Sequence, residues 1–213
     1  TRRSSDLLYR KQARFQLITT GKISQKQLLF EDQHLERLTK ASRYFAYPFD
    51  PEELRQKIEK ECQACDRNQD YRLRISLSKS GEIELSRQVL TPLSPDFCQA
   101  KLCLQEADLN QSFTYFKTTH RPHLSLGKQE IIYHTTDGTL LETSIGNLIL
   151  KISGKLYTPP VRLGILPGIY RQHLLETGQV EEKALTLADL NQAEAIYGCN
   201  AVRGLYELEV NSK

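Results

Sequence analysis

Methionine is absent from all 213 residues, position 1 included. The expectation is a chain cut from a longer one, or one from which residues are missing, so that spacings across a gap are off by a residue or more. Also absent is any apolar run near the ~20 residues that a membrane helix needs, and nothing at the start resembles a secretory leader. No membrane association is expected. The charges, 29 basic against 26 acidic for a net +3, are spread without blocks, which argues against the concentrated basic face of a nucleic-acid binder. Cysteine is scarce and odd in number, five, so reduced thiols in a cytoplasm are expected rather than a disulfide framework. Cys62-x-x-Cys65 has no second cysteine pair or histidine cluster to complete a zinc site, and no thioredoxin-like strand–helix context. It reads as structural thiols, and no metal is assigned.

What is present is an ordinary globular composition, 39% hydrophobic with 8 Pro and 11 Gly, long enough for one large domain or two small ones. Residues 1–14, basic and polar, read as a linker or arm. Phe15–Thr20 reads as a short strand that Gly21-Lys22 turns toward Lys26–Phe30. Leu35, Leu38, Ala41 or Ser42, and Phe45 share one helical face, with Asp32 as N-cap. Asp50-Pro51-Glu52-Glu53 carries the signature of a second helix start, through Leu54, Ile58 and Cys62. Tyr71–Ser78 alternates strictly and returns after Gly81 as a hairpin with one wet face. Lys101–Leu104 is another strand, and Ala107–Ser112 reads as a crossing between a small lobe, 15–108, and a large one, 109–213. The second lobe shows strands at 130–135, 140–143, 145–152, 155–159, 180–185 and 195–200, with helices at 169–177 and 186–193. Many short strands with intervening helices predict an α/β (α+β) fold.

Three features carry chemistry. The first is Tyr115-Phe116-Lys117-Thr118-Thr119-His120-Arg121, one lysine between aromatics and a polar, basic run. The second is Glu142, an isolated acid in a strand, and the third is the Gly-rich turn into a helix at Leu163–Arg171. A lysine beside aromatics is usually a snorkelling surface residue. An amine, a strand carboxylate and a nest of helix-start amides, in this order, are what a pyridoxal phosphate (PLP) site needs: a Schiff-base nucleophile, a partner for the pyridine nitrogen, and a phosphate cradle. Arg37, beside the apolar stripe of its helix, is either a surface base or a guanidinium aimed at phosphate.

The ordered set His34-Leu35-x-Arg37-Leu38-x-x-Ala41-Ser42, Lys117-Thr118-Thr119, Glu142-Thr143-x-x-x-Asn147-Leu148, Thr158-Pro159, Gly168-Ile169-x-Arg171 and Cys199-Asn200-Ala201 resembles fold-type IV PLP enzymes. That group holds branched-chain and D-amino-acid aminotransferases and 4-amino-4-deoxychorismate lyase. The Lys-Thr-Thr-x-Arg block and Cys-Asn-Ala look most like the lyase, in particular the version fused behind an aminodeoxychorismate synthase component. The resemblance covers nearly the whole chain from Phe15. It implies two lobes with the site between them, a homodimer, and PLP on Lys117. It further implies Glu142 at the pyridine nitrogen and Arg37 at the phosphate. Asn147, Gly168, Ile169, Tyr170, Asn200 and Ala201 would join in holding the cofactor. For the carboxylates of the substrate, aminodeoxychorismate, Arg121 is nominated, with Arg74 and Arg203 behind it. Two departures stand out: Thr19-Thr20 runs straight into Gly21-Lys22, and Leu124 stands where an aromatic is common. The competing readings are an aminotransferase of the same fold and a non-catalytic domain serving a fused or partner synthase.

Overall fold

In the computed structural model, which describes residues 15–105, 112–125 and 127–210, the chain divides into two units. The expected arm at 1–14 and most of the expected crossing at 107–112 lie outside the described residues. The boundary itself differs from expectation. The first unit runs to Leu90 and takes back Phe116–Arg121, while the second holds Thr91–Tyr115 and everything from Pro122. Lys117, expected in the large lobe, therefore belongs to the small one. Its backbone explains why: Ile18 N–H donates to the Lys117 carbonyl at 2.9 Å and Thr119 N–H to that of Gln16 at 2.9 Å, a stitch of chain onto the first strand.

The first unit is a four-stranded antiparallel sheet, β1 (Leu17–Ser24), β2 (Gln27–Leu28), β3 (Tyr71–Leu77) and β4 (Ile83–Val89), in the order β2-β1-β3-β4. The period-2 pattern sends Leu17, Ile23, Leu73, Ile75 and Leu77 to one face, all fully buried, where each contributes roughly 1.5–3 kcal/mol. Helix α1 (Glu31–Phe45) supplies Leu35, Leu38, Ala41 and Phe45 to the core, as its 3.6-residue spacing requires. Helix α2 (Pro51–Gln63) starts as expected, with the Asp50 side chain accepting from Glu52 N–H. Two expectations fail. Asp32 is not the N-cap of α1: Phe30 is, in a left-handed conformation at φ 60°, and Asp32 pairs with Arg55 at 2.7 Å. Gly21-Lys22 is not a turn. β1 runs through it to Ser24, and the turn is made by Gln25 and Lys26 at φ 50° and 65°. Gly21 is needed for close approach: a Cβ there would lie 2.5 Å from His34 Nε2.

The second unit holds β5 (Gln99–Leu104), β6 (Ile131–His134), β7 (Leu140–Thr143), β8 (Asn147–Ile152), β9 (Lys155–Thr158), β10 (Glu181–Glu182), β11 (Ala195–Asn200) and β12 (Gly204–Val210). Short helices α3 (Pro95–Cys98) and α4 (Ser112–Tyr115) flank β5, and α5 (Ile169–Glu176) and α6 (Leu187–Gln192) follow later in the chain. The sheet order β10-β9-β8-β11-β12-β5-β6-β7 has one further pairing, β7 with β8. Six of these strands therefore close on themselves, and closure removes the sheet edge. The seam is a single register pair, Glu142 opposite Asn147. Ala100, Ile132, Leu140, Leu148, Leu150 and Leu208 fill a core with Leu185 and Leu190. The strand expected at 180–185 shrinks to Glu181–Glu182, because only these pair with the end of β9; Leu185 instead is buried with its carbonyl on Leu140 N–H at 2.8 Å. β12 is an element that the hydrophobic pattern left unassigned.

Candidate active site

In the first unit, β1 and β3 pair Thr20 with Arg74 and Lys22 with Arg72. Alternation thus puts both arginines on the sheet face opposite the apolar one. Lys117 arrives through the backbone stitch described above. It is part-exposed as a residue, yet burial of its amine depresses its pKa well below the usual lysine range, reinforced by Arg37, Arg121, Arg72 and Arg74 in that order. Arg37 is itself lowered to about 10, by burial first and then by Arg121. Each of these four neighbours is a cation. A cluster of cations with two members desolvated suits an anion by its electrostatics. Of the residues nominated from the sequence, Arg37, Arg74, Lys117 and Arg121 come together in this unit.

His34, one turn before Arg37, is fully buried on α1. Its Nδ1 bonds Thr19 Oγ1 at 2.6 Å, and Nε2 has no hydrogen-bond partner among the described residues. Burial, then Arg37 and Lys117, drops its pKa to about 3, so the ring is neutral and adds no further charge to the cluster.

In the second unit, Glu142 is 4% exposed and its Oε2 accepts the N–H of Leu166 at 3.3 Å. Across the seam, Asn147 Nδ2 donates to the carbonyl of the same Leu166 at 2.9 Å. The two seam residues thus grip one residue of the loop before α5 from both sides. Asn147 Oδ1 also lies where a Cβ on Gly168 would fall, 1.9 Å away, so the loop can run this close only as glycine. Gly168 is the N-cap of α5, with no side chain capping the helix. The first amides of the helix, at Ile169 and Tyr170, are groups an anion can satisfy. Arg171, 1% exposed, anchors α5 by donating to the Pro159 carbonyl and to Glu182.

Asn200 closes the turn between β11 and β12. Its Oδ1 accepts from Val202 and Arg203 N–H, each at 2.9 Å, and its Nδ2 reaches the Ile145 carbonyl at 3.4 Å. Ala201 lies in that turn. The guanidinium of Arg203 belongs to this second unit and donates to the Thr91 carbonyl. The sequence patterns did not single out Glu130, an acid at the head of β6 that is 0% exposed and bonded by Ser144 and Tyr206. Its only signal was a charge directly before an apolar run.

The residues fit PLP unit by unit. The first offers a desolvated amine among guanidiniums, and the second a buried carboxylate and an uncapped helix start. The family model for amino-transferase class IV matches residues 16–209. The chain belongs to aminotransferase class IV. This is a PLP-dependent family, as the motif order anticipated, and its α/β fold is the one observed. The aminodeoxychorismate lyase of Saccharomyces cerevisiae is 24% identical over an alignment covering 76% of this chain and 56% of the yeast protein. The class IV chain therefore spans little more than half the length of that relative. A provisionally assigned amino-acid aminotransferase from Mesorhizobium loti is 27% identical, with a TM-score of 0.80 over 92% of this chain and all of that one. A provisionally assigned 4-amino-4-deoxychorismate lyase from Haemophilus somnus shares the fold, at 24% identity and a TM-score of 0.71 over 90% of this chain and 98% of that one. Among the described residues no helix is long and apolar enough to cross a membrane.

Proposed function

We infer that the chain is a PLP-dependent 4-amino-4-deoxychorismate lyase that releases 4-aminobenzoate and pyruvate. The observation that carries the reading is the desolvated amine of Lys117 among Arg37, Arg121, Arg72 and Arg74. Lowering an amine's proton affinity raises the share of it that is unprotonated and able to act as a base. When bound, PLP supplies an electron sink for the carbanion character that develops at the amine-bearing carbon.

Arg37 would hold the cofactor phosphate, and the second unit would offer that anion the amides of Ile169 and Tyr170 and the turn at Asn200-Ala201. Glu142 would keep a proton on the pyridine nitrogen, and Asn147 and Gly168 set the loop beside it. Lys117, the residue that would carry the cofactor, would take the proton from the amine-bearing ring carbon of the substrate. The ether bond to the enolpyruvyl group then breaks, and that group leaves to become pyruvate on gaining a proton. The ring becomes aromatic, which makes the elimination strongly downhill. Arg121 and Arg74, with Arg203, serve the two substrate carboxylates, for which a guanidinium fork is suited.

The family resemblance supports a homodimer and an aminodeoxychorismate synthase either fused to this chain or working beside it. The five free thiols support a cytoplasmic setting. An aminotransferase of the same fold is the second reading, favoured by the Mesorhizobium loti likeness. Incubating the PLP form with aminodeoxychorismate and following pyruvate, against incubating it with amino acids and following pyridoxamine phosphate, separates the two. Pyruvate release is the expected result, and amine transfer without it overturns the lyase.

A further inference from the structure

Glu130 stands immediately before β6 and is 0% exposed. A carboxylate taken wholly out of water has to recover its lost hydration from protein donors. It has three: Ser144 Oγ and Ile131 N–H donate to Oε1, the latter at 3.2 Å, and Tyr206 OH donates to Oε2 at 2.8 Å. Each donor lies on a different piece of the closed sheet. Ile131 opens β6, Tyr206 is on β12, and Ser144 is in the turn that joins β7 to β8.

That turn sets the seam. Thr143 N–H bonds the Gly146 carbonyl at 2.9 Å, Gly146 N–H returns to Thr143 Oγ1 at 3.0 Å, and Ser144 N–H reaches Ile131 at 3.0 Å. Directly beyond it stands the one pair that joins β7 to β8, Glu142 opposite Asn147. With a single register pair there is no second rung to hold the alignment, so the turn must do it. Tyr206 fits the same plan. Its ring occupies the space where side chains at Gly198 and Gly146 would stand, with its nearest atoms 2.3 Å and 3.0 Å from a Cβ built at each. Burial and the adjoining carboxylate push its phenol well above the usual range, so it stays a donor.

We propose that Glu130 is a positioning residue for Glu142: through Ser144 and Tyr206 its carboxylate fixes the seam turn, and with it the place where Glu142 and Asn147 grip Leu166. The proposal rests on Glu142 being the partner of the pyridine nitrogen. Displacing Glu142 leaves that nitrogen less protonated, which removes a positive charge from the ring attached to the Lys117 nitrogen. The proton on that nitrogen is then held to higher pH.

The test uses the whole chain, with PLP titrated into wild type, Glu130→Gln, Ser144→Ala, Tyr206→Phe, Glu142→Gln and the double variant Glu130→Gln/Glu142→Gln. The readouts are PLP affinity and the pH midpoint of the absorbance band of the lysine-linked cofactor. Glu130→Gln is expected to weaken PLP binding about ten-fold, the scale of leaving buried donors without an acceptor. It should also move the midpoint upward, in the direction of Glu142→Gln, and add nothing to that shift in the double variant. Ser144→Ala and Tyr206→Phe should each move it part of the way, and they decide the matter if Glu130→Gln does not fold. A lower melting temperature with an unchanged midpoint in these variants marks a merely structural carboxylate and overturns the proposal alone. No such band in the wild type overturns the functional reading and this proposal with it.

Discussion

The two units prepare for an anion in opposite ways. The first gathers like charges, Lys117 with Arg37 and Arg121, and lets burial and repulsion lower the proton affinity of Lys117 and Arg37. The second gathers little net charge: Glu142 and Asn147 close on one loop residue, and Gly168 leaves a helix start uncapped. One unit stores electrostatic tension that a bound anion relieves; the other offers shape and the donors of a helix start. Substitutions in the first should therefore act on charge and pH, and those in the second on geometry. That contrast can be broken or sharpened one variant at a time.

The largest expected effect is that of Lys117→Ala. Loss of the base lowers turnover by about 10²–10⁴-fold and abolishes the band of the lysine-linked cofactor, measured by pyruvate release and absorbance. Next is Arg37→Ala, which should weaken PLP binding about ten- to a hundred-fold in a titration. Because the Arg37 charge lowers the Lys117 pKa, its removal raises that pKa. The acid limb of the turnover profile, where Lys117 becomes protonated and inactive, should move to higher pH; an unmoved limb would show that the cluster does not tune the amine.

Gly168→Ala tests shape rather than charge. The added methyl meets Asn147 Oδ1, so PLP affinity should fall about ten-fold while the pH profile keeps its position. In Gly168→Ala/Asn147→Ala the overlap is gone, and the double variant should bind no worse than Asn147→Ala alone. Additive losses instead would place the strain elsewhere. The smallest effect is on stability. His34 is held near 3 when folded against about 6.5 unfolded. The unfolded chain therefore binds the extra proton between these values, and stability is lost as pH falls through that window at up to ~1.4 kcal/mol per pH unit. Comparing urea melts of wild type and His34→Asn from pH 7 to 4 should show a shallower decline in the variant.

Much of this was legible in the chain itself. Leu35, Leu38, Ala41 and Phe45 announced α1, Asp50-Pro51 opened α2, and alternation through Leu73 and Ile75 gave β3, because in each the local preference and the tertiary demand coincide. Gly21 misled for the opposite reason. A glycine usually marks a turn, but here the buried ring of His34 requires a missing side chain in mid-strand, and non-glycine residues take the left-handed turn at Gln25-Lys26. Val180–Leu185 looked like a whole strand because apolar pattern cannot say how many residues find a partner. The candidate site residues stood out through their order, Arg37, Lys117, Glu142, Gly168. Glu130 did not, since two of its donors, Ser144 and Tyr206, lie 14 and 76 residues away, and no local pattern encodes that.

The return of Phe116–Arg121 to the first unit has a consequence for how such a molecule can be divided. The candidate Schiff-base lysine rides on a ribbon that leaves one unit, traverses part of the other and comes home. Truncation after Leu90 would discard the reactive group along with a neighbour of the opening strand. Neither half is thus a portable part, and gene fusion, shuffling or fragment complementation can succeed only at the outer ends of this span.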